Sequence, residues 1–136
     1  MIISVSQVNF LHELGILEHG GSAGVRDASI IESAVMQPCQ TFDGVDLYPS
    51  LLEKVATLGF GIIRNHGYID GNKRAGLSAM ALVLHQEYGE LEYDIDEAEA
   101  ICLGVADSSV NREQLHSWLK KATASRGPIN RSTRFD

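Results

Sequence analysis

With 136 residues, 44% of them hydrophobic, the chain can bury one sizeable core and is too short to suggest two. Its formal net charge of −7 argues against nucleic acid as a partner, because gripping phosphates along DNA or RNA rests on clustered Lys and Arg. Residues 1–5 carry neither a basic leader region nor a long apolar stretch, and no segment is long enough to span a bilayer, so a cytoplasmic protein without a membrane partner is expected.

In chain order, Ser6 can cap a first helix whose apolar face is Phe10, Leu11, Leu14 and Leu17, with Gly20-Gly21 ending it and Gly20 through Gly24 forming a flexible loop. Asp27 caps a second helix that presents Ile30, Ile31, Ala34 and Val35, and Pro38 stops it. Residues 41–48, rich in Asp and Gly, read as a connection. Pro49 suits the first turn of a third helix in which Leu51, Leu52, Val55, Leu58, Gly59, Ile62 and Ile63 repeat at helical spacing. Residues 75–88 are apolar nearly all round, which predicts a central helix buried on most sides and ended by Gly89. Asp94 with Glu97 opens a fifth helix burying Ala98, Ile101, Cys102 and Val105. A sixth, from about Asn111, aligns Leu115, Trp118, Leu119 and Ala122.

Only residues 2–5 and 90–93 look extended, too little for more than a small ribbon. The predicted class is therefore all-α, one bundle of about six helices over residues 1–122. Lys120, Lys121, Arg126, Arg131 and Arg134 crowd the end of the chain, and residues 123–136 are expected to form a flexible basic tail. Cys39 and Cys102 lack CxxC spacing and sit among apolar neighbours, as buried free thiols do. His12, His19, His85 and His116 are scattered without ligand spacing, and structural or solvent roles are expected for them.

Residues 66–74, HGYIDGNKR, interrupt two strong helices with more chemistry than a turn needs. If Gly71-Asn72 begins the following helix, the backbone N–H groups of about residues 71–74 point outward with the positive end of the helix dipole behind them. Such an end attracts anions, and Gly71 permits close approach. Lys73 and Arg74 occupy a first turn where cations are locally unfavourable unless a polyphosphate is bound. Asp70 beside the cradle could hold Mg²⁺ together with phosphate oxygens and water. His66 could take a proton from an incoming hydroxyl near neutral pH. Tyr68 would anchor the loop by turning its ring into the core. Each residue alone has an ordinary use: His66 as a helix C-cap, Asp70 as an N-cap, Asn72 as a turn former, Lys73 and Arg74 as solvated charges. Their combination at one loop-to-helix junction favours chemistry.

This segment resembles the Fic/Doc signature H-x-F-x-[D/E]-[G/A]-N-[G/K]-R, with Tyr68 in place of the usual phenylalanine. The resemblance extends upstream to Gly24-Val25-Arg26-Asp27, Glu32-Ser33-Ala34 and Pro38, which are similar to the N-terminal pattern of death-on-curing toxins. It covers residues 1–122 and leaves the tail unmatched. Within the family, adenylyltransferases resemble G-N-G-R-x-x-R; this chain has Lys73 at the second glycine and Leu77 at the second arginine. Both departures point to the Doc branch, whose members are similar to kinases and are thought to present the γ-phosphate where Fic enzymes present the α-phosphate.

The resemblance implies ATP as substrate and Mg²⁺ as cofactor, with His66 activating a target Ser or Thr hydroxyl and Asp70 positioning the site and the metal. It assigns Asn72, Lys73, Arg74 and the Gly71 backbone to the phosphates, and Arg26 to part of a flap that aligns the target. The implied target is elongation factor Tu, whose modification would arrest translation and growth. Self-inhibiting relatives resemble carriers of [S/T]-x-x-x-E-[G/N]; here Ser109 to Glu113 fits and Gln114 breaks the pattern, so inhibition in trans by a Phd-like antitoxin is expected. Transfer of AMP or another nucleotide-derived group, and a catalytically idle partner-binding domain, remain open alternatives.

Overall fold

In the computed structural model, which describes residues 1–124, the helix starts are set by side chains that satisfy otherwise unpaired first-turn N–H groups. Ser4, Ser50 and Asn111 each form a reciprocal capping box with the side chain three residues on, and so open α1 (Val5–His19), α3 (Leu51–Asn65) and α6 (Arg112–Thr123). Asp27 opens α2 (Ala28–Met36) by accepting from Ser29 N–H, and Asp94 opens α5 (Ile95–Asp107) by accepting from Asp96 and Glu97 N–H. The remaining helix, α4 (Asn72–Tyr88), has Gly71 at its cap and no side-chain capping bond, which leaves its first turn open.

The six helices form the expected all-α bundle, with α3 and α4 as the central pair. Glycines permit that crossing. A Cβ on Gly76 would overlap Ile63 and sit 3.3 Å from the Gly59 carbonyl oxygen, while one on Gly59 would overlap Met80. Around the pair, α2, α5 and α6 pack on α3, and α1 packs on α4. The core joins Val35 of α2, Val55, Leu58 and Ile62 of α3, Ala79 of α4, Val105 of α5 and Leu115 of α6, all fully buried. No helix among the described residues is long and apolar enough to cross a membrane.

Several expectations change. Helix α1 is capped by Ser4, not Ser6, because the reciprocal bonds run between Ser4 and Gln7. Its predicted apolar face is largely turned out: Phe10 is 60% exposed and Leu17 83%. The inward stripe is Val8, Leu11, His12 and Gly15, the i, i+3, i+4, i+7 set one step away, which a count of apolar residues overlooks because it contains a histidine and a glycine. Pro49 lies just outside α3, since Ser50 takes the cap.

The extended residues are also elsewhere. Residues 2–5 and 90–93 form no strand, although Ile3 is buried. The predicted connection at 41–48 instead contains a two-stranded antiparallel ribbon, β1 (Thr41–Phe42) with β2 (Val45–Asp46). Asp43 and Gly44 both have positive φ, 54° and 80°, the turn that an Asp-Gly pair favours between strands. Cys102 is a buried free thiol, whereas Cys39 is free but only half-buried. Helix α6 runs through Thr123, whose side chain is buried, and the rest of the predicted tail lies outside the described residues.

Candidate active site

The 66–74 loop is built on the end of α3. His66 ends that helix in the left-handed conformation, φ 52° and ψ 57°, which a non-glycine residue adopts only with support from its surroundings. Arg26 supplies that support. Its Nε donates to the His66 carbonyl at 2.6 Å and its Nη2 to the Asn65 carbonyl at 3.0 Å, so a cation meets the negative end of the helix. The backbone beside it pairs with the loop: Arg26 and Asp27 N–H both donate to the Gly67 carbonyl, and Ile69 N–H donates to the Gly24 carbonyl. The side chain assigned to a flap is therefore engaged as the C-terminal cap of α3. At Gly67 a Cβ would overlap Ile31, so the strand-like pairing also draws the loop against α2.

Tyr68 turns into the core as expected, at 1% exposure. Its extra hydroxyl donates to Asn9 Oδ1 at 2.6 Å, and burial, reinforced by the charge of Glu13, pushes its pKa up to about 12. The ring stacks on the buried His12 with centroids 3.7 Å apart and planes 7° from parallel. Nε2 of His12 lies 2.7 Å from the carbonyl oxygen of Asp70; a carbonyl only accepts, so this nitrogen carries the proton. Asn72 is consumed within the loop. Its Oδ1 accepts from Tyr68 N–H and its Nδ2 donates to the Tyr68 carbonyl, both at 3.0 Å, while His66 Nδ1 is 3.5 Å away. What Asn72 has left to offer an anion is its backbone N–H.

The Asp70 carboxylate is exposed and doubly anchored: Oδ2 accepts from Ser22 N–H at 3.1 Å, and Oδ1 accepts from Gly71 N–H at 2.8 Å. These two bonds, with the Ser22 bond the larger cause, hold its pKa below the usual carboxylate value, helped by His12 and Lys73. The Gly71 N–H is thus not free, and the open donors of the first turn begin at Asn72. Gly71 has φ 78° and packs beside Ile16 and His12. Gly21, at φ 113°, approaches so closely that a Cβ would lie 2.8 Å from Asp70 Oδ2.

His66, Asp70, Gly71, Asn72, Lys73 and Arg74 all line one cleft of about 960 Å³. The end of α1 forms one wall, with Gly20-Gly21, and α5 forms the other with Asp96, Glu99 and Leu103. Leu77 contributes to the lining; Tyr68 and Arg26 do not, in keeping with their supporting positions. Lys73 and Arg74 are exposed, and Arg74 runs along Gly15 of α1. The arrangement offers a carboxylate, an imidazole, two cations and a helix N-terminus facing a shared space, the groups needed to bind a polyphosphate and accept a proton. Among the described residues no three His, Cys, Asp or Glu side chains gather into a metal group. A Mg²⁺ held by one carboxylate, phosphate oxygens and water needs no such cluster, and ionised, solvent-facing Asp70 fits that use.

Sequence reasoning did not connect His12, Asn9, Ser22 or Gly24 with the loop, because all four come from the separate N-terminal segment. The readable signal for His12 was its place four residues after Val8, a polar ring on the buried stripe. The partial inhibitory match lies apart: Glu113 pairs with Arg112 at 2.8 Å, and neither Ser109 nor Glu113 lines the cleft.

Residues 2–84, which include α1 to α3, the loop and most of α4, match the sequence model of the Fic/DOC family. The chain is also similar to Toxin Doc of Mycolicibacterium smegmatis (strain ATCC 700084 / mc(2)155), at 39% identity over 107 residues, covering 77% of this chain and 82% of that protein. With a family match across more than half its length and a relative aligned over most of both chains, this protein belongs to the Fic/DOC family.

Proposed function

We propose that the chain is a Doc-type toxin that transfers the γ-phosphate of ATP to a Ser or Thr hydroxyl of a translation protein, with elongation factor Tu as the target. The observation that carries this reading is the convergence of His66, Asp70, Lys73, Arg74 and the uncapped start of α4 on one cleft. His66 takes the hydroxyl proton as the oxygen attacks phosphorus and the bond to the β-phosphate oxygen breaks, with ADP leaving. Its contact with Asn72, at 3.5 Å, is too long to dictate which ring nitrogen carries a proton. Lys73, Arg74 and the backbone N–H groups of the first turn hold phosphate oxygens. Asp70 would hold Mg²⁺, which neutralises phosphate charge when bound.

Lys73 and Leu77 favour phosphate over AMP transfer, since by family resemblance glycine and arginine stand at these positions in adenylyltransferases. Without a matching inhibitory helix, control falls to an antitoxin in trans, of Phd type. The test is incubation of the target with ATP labelled separately at the α and γ positions, followed by mass spectrometry. Label from γ and the mass of one phosphate are expected. Label from α with the mass of AMP would replace the reading by adenylyl transfer, and an unmodified target with unimpaired growth would leave an idle binding domain.

A further inference from the structure

Four polar side chains are buried among the described residues: His12, Thr57, Asn72 and Thr123. The two threonines return their hydroxyls to carbonyls of their own helices, Glu53 and Leu119, as threonines in helices commonly do. His12 and Asn72 do not. Asn72 binds the loop from within, and His12 reaches it from α1, 58 residues away in sequence, to hold the Asp70 carbonyl. From this geometry we infer that His12 is a positioning residue for Asp70, setting where the carboxylate stands for Mg²⁺-ATP.

The inference rests on the reading of Asp70 as the carboxylate that takes the metal. The physical case is one of constraint. Asp70 is exposed, and hydrogen bonds hold both its carboxylate and its carbonyl. Ser22 and Gly71 N–H groups bind the carboxylate, but one comes from a glycine-rich segment and the other from the adjoining residue. Among the described residues, His12 is the side chain that ties the Asp70 backbone to a helix, and Tyr68 covers one face of its ring. Hydrogen-bond partners of metal-ligating groups commonly change metal affinity about tenfold or more when removed, and His12 acts one bond network further back, on the backbone that carries the carboxylate. A merely space-filling histidine would be replaceable by another flat ring without effect on the metal.

The test compares equilibrium binding of Mg²⁺-ATP, by calorimetric titration with Mg²⁺ at fixed ATP, in the full-length protein and three variants. His12→Phe keeps the stack on Tyr68 and removes the donor; His12→Gln keeps a donor near the position of Nε2 and gives up the aromatic stack. In His12→Phe the half-saturating Mg²⁺ concentration is expected to rise about tenfold, while helix content is retained. His12→Gln is expected to restore it to within about threefold of the wild type. If His12→Phe does not fold, His12→Asn replaces it, because the shorter amide stops short of the carbonyl. Wild-type Mg²⁺ dependence in the variant lacking the donor overturns the inference, as does a His12→Gln variant no better than that one. Asp70→Asn separates the two levels: a raised half-saturating Mg²⁺ concentration supports the reading of the site whatever His12 does, and an unchanged one overturns both.

Discussion

Replacing Arg26 by alanine distinguishes a cap from a flap. The guanidinium makes two charge-assisted bonds to the last carbonyls of α3, at 2.6 and 3.0 Å, and holds His66 in a left-handed conformation. Charged hydrogen bonds contribute about 1.5–3 kcal/mol when sheltered; Arg26 is exposed, so about 1 kcal/mol each is the fairer figure. For a domain of this size a loss of about 2 kcal/mol lowers Tm by roughly 6 °C. Thermal unfolding followed by circular dichroism measures it. Because the freed carbonyl belongs to His66, kcat is expected to fall along with Tm, and Arg26→Lys is expected to recover little, a single ammonium being unable to reproduce the two-point fork. An Arg26→Ala protein with unchanged Tm and a raised KM for the protein target alone would refute the cap and restore the flap.

Other expectations follow from the same geometry. Gly21→Ala places a methyl 2.8 Å from Asp70 Oδ2 at a φ of 113°, so it should displace the glycine-rich segment, cost about 1–2 kcal/mol in a urea titration and weaken Mg²⁺-ATP binding; unchanged values for both would show that the segment gives way freely. Asp70 has a depressed pKa in the folded protein, so its contribution to stability is present above the usual carboxylate value of 3.8 and is lost as pH falls through the lower folded value. Scanning Tm from pH 7 downwards should therefore show a steeper loss below about pH 4 for the wild type than for Asp70→Asn, and parallel curves would contradict the assigned direction. His66→Ala should lower phosphate transfer at least about 100-fold, as expected for a lost general base, with Tm close to the wild type; full residual activity would remove His66 from the chemistry.

Periodicity and punctuation made most helices legible because the physical cause is local. The α3 stripe from Leu51 to Ile63, the caps at Asp27, Asp94 and Asn111, and the glycine stop at Gly89 are decided within a few residues of themselves. The loop was legible too, since its chemistry is concentrated in residues 66–74. The inward face of α1 was not. Its burial depends on packing against α4 and the loop, where His12 stacks on Tyr68 and Gly15 lies beside Arg74 while Phe10 and Leu17 face outward.

Sequence by itself thus determined an all-α chain whose loop-to-helix junction brings an imidazole, a carboxylate and two cations to a helix N-terminus. Tertiary structure decided how that junction is held. Arg26 fixes the end of α3, Ser22 and His12 hold Asp70 by its carboxylate and its carbonyl, and Asn72 closes the loop on Tyr68. The bonds from Arg26, Ser22 and His12 join segments 40 to 58 residues apart, and no local propensity encodes them; they exist only after packing has brought α1 against α4 and α2 against α3.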